Sequence, residues 1–229
     1  MSGFGALSED AHVVWEESLL GRWPPDVRER LLDGSRELAL APGSFFYRGR
    51  FHEETEKVGL VLDGLLRTFR RAPDGRQVTL RYASRGRVIG LPTALGRQAD
   101  VDAEALLASR VVVLDARTFR AVAAEHPAVS WDVAVYLAAL VQETQNILVA
   151  HMFLPIRSRV ARHLLDMSVH RGEQLVVTAS QQDLADAIGS VREVVGRALA
   201  EFAAEGHVER QGRLLVLRDP RALHEISLG

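Results

Sequence analysis

Hydrophobic residues recur with two different periods along the chain, and the change of period divides it into regions. Residues 7–37 follow a helical pattern that is interrupted at Pro24-Pro25, which predicts two N-terminal helices, the second from Val27 to Leu38. From Pro42 to about Leu114, short apolar runs are separated by predicted glycine turns, among them Asp63-Gly64 and Pro73-Asp74-Gly75, and polar and apolar residues alternate in Gln77–Tyr82. Many short strands of this kind predict a sandwich, barrel or jelly roll.

The pattern returns to a helical period after Pro127 and predicts one long helix that reaches His151. Residues recur along this helix at alternating spacings of four and three, which is typical of a coiled-coil seam. We interpret the seam as a homodimer interface, and the alternative is a helix packed only on its own domain. The predicted seam consists of Val133, Leu137, Leu140, Thr144, Ile147 and His151.

Two short helical segments near the C-terminus flank the glycine turn at Gly189-Ser190. The first runs from Gln181 to Ile188, with Ser180 as its predicted N-cap and Asp183 in its first turn. The second runs from about Val191 to Glu205. Two short helices across a glycine turn predict a helix-turn-helix motif.

The second of these helices has a polar side and an apolar side. At about 100° per residue, Arg192, Glu193 and Arg197 fall on one arc, which is predicted to face away from the core. Arginine can donate two hydrogen bonds to guanine, and glutamate can accept one from cytosine. The alternative is a solvated face with an ion pair between residues 193 and 197. The opposite arc holds Val194, Val195, Ala198, Leu199 and Phe202.

Two short strands follow the second helix, at residues 207–210 and 214–217. They predict a β-hairpin of the kind called a wing. Arg213 stands at the tip of this hairpin, where we expect it to contact a DNA phosphate.

Composition sets limits on the class of protein. The chain has 229 residues, 47% hydrophobic and 25% charged, as expected for a globular protein of more than one domain. Its net charge of -2 gives no overall attraction to nucleic acid, so a local basic face would have to supply it. The absence of cysteine excludes disulfides and cysteine-ligated iron–sulfur clusters.

The sequence contains no catalytic motif that we recognise, such as a P-loop, a nucleophile elbow or a metal-ligand cluster, and it therefore predicts a protein that is not an enzyme and holds no metal. We also find no signal peptide and no run that approaches the roughly 20 apolar residues of a membrane span. The sequence is therefore expected to belong to a cytoplasmic protein without membrane contact.

The segment Val191–Leu199, with its Arg-Glu-x-Val-Gly-Arg core, resembles the recognition helix of the Crp/Fnr superfamily. The order of the predicted elements over roughly residues 35–225 is also similar to that family. The resemblance implies an α+β fold in three parts: N-terminal helices with a β-roll or jelly-roll sensor domain of the cyclic nucleotide-binding type in residues 1–126, a dimerisation helix and hinge in 127–154, and a winged helix-turn-helix in 155–229.

The resemblance also implies a function and a set of contacts with DNA. Arg192, Glu193 and Arg197 would contact base edges in a TGTGA-like half-site, and dimer symmetry would make the operator an inverted repeat. The implied partners are double-stranded DNA and a second copy of the chain, with RNA polymerase as a further candidate. The expected phosphate contacts are Ser180, Gln181, Gln182, Ser190 and Arg213.

The expected effector site departs from the family pattern. Members that bind cyclic nucleotides have Gly-Glu where this chain has Gly90-Leu91, and we align their Arg-Ser pair with Ala99 and Asp100. Carboxylates at Asp102 and Glu104 would repel a phosphate, so we expect an effector other than cyclic AMP. Its identity stays open. The expected pocket contains Gly90, Leu91, Arg97, Ala99, Asp100 and Thr144.

Several alternatives remain open at this stage. Haem could be held by His52, His126 or His151, although a lone histidine is more often structural. A hard cation could bind Asp100, Asp102 and Glu104. The protein could also be an effector-independent repressor with a degenerate sensor, or a small-molecule-binding enzyme.

Overall fold

The computed structural model describes residues 7–49, 57–71, 77–95, 101–172 and 174–228. The helices in this part of the chain are α1 (Glu9–Glu17), α2 (Pro25–Leu32), α3 (Leu91–Leu95), α4 (Ala116–Glu125), α5 (Pro127–Phe153), α6 (Ile156–Asp166), α7 (Gln181–Ile188), α8 (Arg192–Ala204) and α9 (Pro220–Leu228), and a short 3-10 helix spans Leu19–Arg22. The strands are β1 (Arg36–Leu40), β2 (Phe45–Tyr47), β3 (Lys57–Asp63), β4 (Leu66–Arg71), β5 (Gln77–Ala83), β6 (Val88–Ile89), β7 (Asp102–Ala105), β8 (Ser109–Asp115), β9 (Val169–Arg171), β10 (Gln174–Val177), β11 (Val208–Gln211) and β12 (Leu214–Leu217).

The β-rich region contains two four-stranded sheets, in the orders β1-β8-β3-β6 and β2-β7-β4-β5. Strand β8 pairs antiparallel with β1 on one side and with β3 on the other. The predicted turn at Asp63-Gly64 is confirmed between β3 and β4, where Gly64 adopts a φ of 90° that favours glycine. The turn predicted at Pro73-Asp74-Gly75 lies outside the described residues.

The N-terminal helices end earlier than the sequence indicates. The second helix was predicted to continue to Leu38, but α2 ends at Leu32 and Arg36–Leu40 forms β1. Each residue of this strand is paired with one of β8. Strand pairing within the sheet therefore overrides a local helical pattern, which is a weak preference by comparison.

Two apolar clusters fill the N-terminal region. One cluster lies between the first sheet and helices α1, α2, α4 and the start of α5, and it includes Trp15, Trp23 and Phe119. The other cluster includes Phe46, Leu66 and Val111 and draws on strands of both sheets. Helix α4 was not predicted, although Asp115 accepts a hydrogen bond from the Thr118 backbone N–H at 2.7 Å and caps it. Such a cap is a recognisable sequence signal.

The C-terminal region is a winged helix-turn-helix. Its sheet has the order β11-β12-β10-β9, and helices α6, α7 and α8 pack on one another. Helix α6 ends at Asp166, and Val169 begins β9. Helix α9, which packs on α6, was not predicted. The predicted fold class, with a β-rich domain, a long helix and a helix-turn-helix, is confirmed.

The chain divides into two compact units. One unit comprises Met1–Thr68 with Ala83–Glu143, and the other comprises Phe69–Tyr82 with Thr144–Gly229. Most of strand β5 and the end of β4 therefore belong to the same unit as the helix-turn-helix. The predicted domain boundaries after residues 126 and 154 stay predictions.

Candidate nucleic-acid interface

The helix-turn-helix begins with a fully formed cap on α7. The Ser180 hydroxyl oxygen accepts a hydrogen bond from the Asp183 backbone N–H at 3.1 Å, and the Asp183 carboxylate accepts one from the Ser180 N–H at 2.7 Å. This reciprocal pair satisfies two backbone groups that a helix start otherwise leaves unpaired. The helix ends at Gly189, whose φ of 63° lets the chain turn into α8.

Helix α8 presents the charged side that its sequence predicts. Arg192, Glu193 and Arg197 are exposed, whereas Val195 and Phe202 are fully buried. Ala198 and Leu199 are also buried, and Val194 is half-buried. The predicted orientation of the helix is thus confirmed: an apolar side anchors α8 in its domain while two guanidinium groups and one carboxylate remain accessible to a partner.

The start of α8 adds an electrostatic feature to this surface. Val191, the N-cap residue, makes no side-chain hydrogen bond to the first turn, and its side chain is exposed. The first backbone N–H groups of a helix point outward along its axis and carry a partial positive charge. Helix starts of this kind bind phosphate groups well. The start of α8 can therefore receive a phosphate beside these exposed charged side chains.

The side chains predicted to contact phosphates lie in different settings. Ser180 and Gln182 are exposed, and the Gln182 amide donates to Asp186 at 2.8 Å. Ser190 is half-buried, in the turn between α7 and α8. The Gln181 side chain lies instead against α8, where its Oε1 accepts a hydrogen bond from Arg192 Nε at 3.4 Å. The structure thus brings Gln181 and Arg192 together, which sequence spacing did not show.

The wing follows as the hairpin of β11 and β12. The two strands pair antiparallel from Val208 opposite Leu217 to Gln211 opposite Leu214. Arg213 is exposed in the tight turn between them, beside Gly212 with a φ of 62°. The predicted hairpin is confirmed, and its tip carries a positive charge.

The long helix α5 differs from its prediction in register. Val133 lies in the apolar cluster of its own chain, Leu137 packs against that cluster, and Leu140 is buried. Ile147 and His151 are partly buried, and only Thr144 of the predicted seam is exposed. Helix α5 leaves most of its other positions exposed, and one exposed stripe lies one residue further along than the predicted seam: Ala134, Ala138, Val141, Gln145, Leu148 and Met152. These residues repeat the spacing of four and three.

Helix α5 also corrects an expectation about membranes. The sequence was expected to contain no segment long and apolar enough to span a bilayer, but by length and composition alone Pro127–Phe153 meets that test. Its large exposed apolar residues include Trp131, Leu148 and Phe153. Exposed apolar residues in such number on one helix indicate that another surface covers them.

Of the residues expected in the effector pocket, the structure describes Gly90, Leu91 and Thr144. Arg97, Ala99 and Asp100 lie outside the described residues. Leu91 is fully buried in the apolar cluster beneath the N-terminal helices, and Gly90 adopts a φ of 90° close to the Lys57 carbonyl. A Cβ at Gly90 would lie 2.7 Å from that oxygen. Leu91 is therefore a core residue, and its side chain belongs to the apolar cluster.

The carboxylates on β7 are engaged within the protein. Glu104 Oε2 accepts a hydrogen bond from Arg67 Nη2 at 3.0 Å, and the Arg67 side chain is almost completely buried. Asp102 accepts a hydrogen bond from the Gly49 backbone N–H at 3.1 Å. Because Arg67 balances the charge of Glu104, repulsion of a ligand phosphate by β7 is weaker than the sequence indicated. Among the described residues, no group of three histidines or acids is arranged to hold a metal ion.

A cluster of histidines, which the sequence did not reveal, connects several elements of the second unit. The Tyr82 hydroxyl of β5 lies 2.9 Å from His163 Nδ1 on α6, and the His151 ring lies 6.3 Å from the His163 ring. Arg159 Nη1 lies 3.5 Å from His151 Nδ1 and donates to the Ile188 carbonyl at the end of α7. The cluster therefore links β5 and α5 to the helix-turn-helix.

Burial governs the protonation of both histidines. It lowers the pKa of His163 to about 3, with smaller contributions from His151, Arg162 and Arg159. Burial and the charge of Arg159 also lower the pKa of His151. Both rings are therefore neutral at physiological pH. The other histidine suggested as a haem ligand, His126, lies 3.9 Å from Asp26 in the first unit, and His52 is outside the described residues.

Comparison with known proteins gives two domain matches. Residues 158–226 match the Crp-like helix-turn-helix domain, and residues 38–126 match the cyclic nucleotide-binding domain. The first match contains α7, α8 and the wing, and the second contains the two sheets of the β-rich region.

Individual relatives agree with these matches. The transcriptional regulator LdrP of Thermus thermophilus is 32% identical over 176 residues, covering 75% of this chain and 87% of LdrP. A CRP-like cAMP-activated global transcriptional regulator of Mycobacterium tuberculosis is 28% identical over 184 residues, covering 75% of this chain and 80% of that protein. The crystal structure of TTHB099, a CRP-family transcriptional regulator of Thermus thermophilus, is 28% identical with a TM-score of 0.68, covering 84% of this chain and 97% of TTHB099. The chain therefore belongs to the Crp/Fnr family of transcriptional regulators and carries the family's DNA-binding helix-turn-helix.

Proposed function

We propose that this regulator binds a TGTGA-like inverted repeat as a homodimer, with α8 of each copy in the major groove. The observation that carries the proposal is the exposed set of Arg192, Glu193 and Arg197 on a helix whose other side is buried. Two guanidinium groups suit guanine and one carboxylate suits the cytosine amine. A carboxylate would weaken contact with phosphates alone, so its place between two arginines favours contact with bases.

The phosphate contacts of the proposed complex surround these side chains. Exposed Ser180 and Gln182 at the start of α7, Ser190 in the turn, and Arg213 on the wing are all polar groups that can bind the DNA backbone. They would set the position of α8 on the duplex without adding base preference. A regulator that acts on DNA works where the DNA is, so the cytoplasm is its proposed location. RNA polymerase is a candidate partner.

The proposed dimer forms through the exposed face of α5. Val141, Leu148 and Met152 expose 55%, 57% and 65% of their surface and stand on the stripe with a spacing of four and three. A second copy of the same helix would bury this stripe symmetrically, as in a two-stranded coiled coil. The two α8 helices would then contact half-sites about 10 base pairs apart.

The proposed control is an effector other than cyclic AMP that acts through β5. Leu91 supports this choice, because a buried leucine stands where nucleotide-binding relatives have a glutamate. In the second unit, Tyr82 lies next to His163, and a Cβ at Gly189 would lie 3.6 Å from Val78. Strand β5 therefore contacts the helix-turn-helix directly, and a ligand that shifts β5 would alter the placement of α8.

The same buried Leu91 supports a second candidate, an effector-independent repressor with a degenerate sensor. Calorimetry with cyclic nucleotides, together with operator affinity measured with and without cell extract, separates the two. An effector-controlled protein gains or loses operator affinity with some fraction of the extract. A repressor without an effector binds its operator equally well under all of these conditions.

The DNA-binding role is tested by selecting bound sequences from random duplexes and by reversing one charge. We expect Arg192→Glu to abolish preference for the selected operator while the protein remains folded and dimeric, because a carboxylate cannot donate to guanine. Arg221→Glu is the matched control, since Arg221 is an exposed arginine on α9. Binding must be compared at a fixed salt concentration. Intact operator preference in Arg192→Glu would refute the assignment of α8.

A further inference from the structure

The amide of Gln181 lies on the surface of α8 between two positions one helical turn apart. Its Oε1 accepts a hydrogen bond from Arg192 Nε at 3.4 Å. A Cβ added at Gly196 would lie 3.6 Å from both Gln181 Nε2 and Oε1 and 3.7 Å from Cδ. Gln181 is half-buried, while Arg192 is exposed. The amide is therefore hydrogen-bonded to Arg192 and lies beside Gly196, on the helix that we propose contacts bases.

This placement differs from the expected role of Gln181 as a phosphate contact. A side chain that contacted the DNA backbone would point away from α8. The amide of the neighbouring Gln182 donates to Asp186 on its own helix, α7. The Gln181 oxygen is instead engaged by the Nε–H of an arginine. The guanidinium has five donors in a rigid fork, so a partner at Nε leaves the two terminal nitrogens for a base.

An arginine side chain that rotates freely loses conformational entropy when it is ordered on a base. A side chain of this length has many rotamers to lose when it is fixed. A partner that restricts the guanidinium before DNA arrives removes part of this cost. The restriction also selects one orientation of the fork, and orientation decides whether a bidentate contact with guanine forms.

We propose that Gln181 is a positioning residue, which orients the Arg192 guanidinium for one base and thereby sets the base preference at that position. The inference rests on the proposed function of α8. Gly196 lies beside the Gln181 amide, so the size of the side chain at position 196 affects the amide's position. Alanine would make ordinary van der Waals contact there, and a larger side chain would displace the amide.

The test measures base preference one position at a time. The base contacted by Arg192 is first defined as the position whose preference is lost in Arg192→Ala. We then expect Gln181→Met, which keeps the length but has no amide, to reduce preference at that base about three- to tenfold, within the range of one bidentate contact. Preference at the other positions stays the same. Gln181→Glu, which keeps an oxygen acceptor, restores most of the preference.

The matched control is Gln182→Met, one residue along the same helix. Gln182 is a proposed phosphate contact, so its loss lowers affinity for all sequences equally; because its amide is neutral and displaces no counterion, the slope of affinity against salt concentration stays the same. In an Arg192→Ala background, Gln181→Met has no further effect on base preference, because the side chain that it positions is gone.

Three outcomes overturn the inference. Gln181→Met lowers affinity for all sequences equally, as loss of a phosphate contact would; or it changes nothing; or it changes base preference equally in the presence and absence of Arg192. Failure of the proposed function is a different result, in which the unmodified protein prefers no duplex over random DNA. The two failures are therefore distinguishable in one data set.

Discussion

Helix α8 packs on its domain through one apolar side, whereas helix α5 has large apolar residues on both its buried and its exposed sides. On α8, Arg192, Glu193 and Arg197 are exposed and Val195 and Phe202 are fully buried, as the angular pattern predicts. On α5, the face predicted to be exposed to a partner is largely the face that packs on the same chain. The exposed stripe that contains Val141 and Leu148 lies one residue further along the helix than this predicted face.

The difference comes from the distribution of polar residues around each helix. Charged side chains occupy one arc of α8, and burying them without partners would cost several kcal/mol, so only one orientation is acceptable. Helix α5 is apolar on nearly every side and supports two apolar surfaces. Which surface meets the core depends on the shape of the cluster that receives Val133, and that shape is a property of the whole fold.

The largest expected effect follows from the exposed stripe of α5. We expect Leu148→Glu to raise the dissociation constant of the proposed homodimer at least about 100-fold, because symmetry would bury two unpaired carboxylates in one interface. Operator affinity falls with it, since a single copy contacts one half-site. Sedimentation velocity over a range of protein concentrations measures the dissociation constant.

The control for this prediction is Thr144→Glu, which places the same charge on the only exposed residue of the seam predicted from sequence. That variant should weaken the dimer less than Leu148→Glu, because Thr144 lies at the edge of the stripe, one turn from Leu148. If Thr144→Glu dissociates the protein and Leu148→Glu does not, the original register describes the interface and the shifted stripe has some other occupant.

The sequence was informative wherever a local rule is strong. The cap at Ser180 with Asp183 is found as predicted, as are the turn at Gly189 and the wing. The sequence was uninformative where the structure of a segment depends on residues far away along the chain. Strand β1 forms because β8 is available to pair, and Gln181 meets Arg192 because the turn folds α7 against α8. The proximity of Tyr82 and His163, 81 residues apart, leaves no periodic signal.

A smaller effect separates the two faces of α5 through protein stability. Val133 is buried in the cluster of its own chain, so we expect Val133→Ala to lower the free energy of unfolding by about 2 kcal/mol through lost burial and a residual cavity. The dissociation constant of the dimer should not change. Urea unfolding at several protein concentrations measures the loss, which is the same at each concentration.

Val141→Ala is the matched substitution on the exposed stripe, where the valine exposes 55% of its surface. Its effect on unfolding should appear only at concentrations at which the dimer forms, because stability gained by association depends on concentration. Equal, concentration-independent losses in both variants would mean that Val141 is covered within its own chain.

The smallest effect is a loss of stability at low pH. It comes from buried His163 and its neighbour His151, which was predicted to lie in the seam. The pKa of His163 is about 3 in the folded protein and about 6.5 when unfolded, so the unfolded chain binds more protons below pH 6.5. Stability is therefore complete above that pH and is lost as pH falls towards 3. We expect a loss of about 1.4 kcal/mol between pH 7.5 and 5.5.

His163→Phe should reduce this pH dependence, and His151→Gln should reduce it further, because burial also lowers the pKa of His151. Both histidines lie within one chain, so the slope of stability against pH should be the same at every protein concentration. A histidine in a seam between two copies behaves differently: its protonation separates the copies, and the slope then varies with dilution. Unfolding curves at two pH values and two concentrations distinguish these positions of His151, and a slope that varies with dilution would return it to the interface.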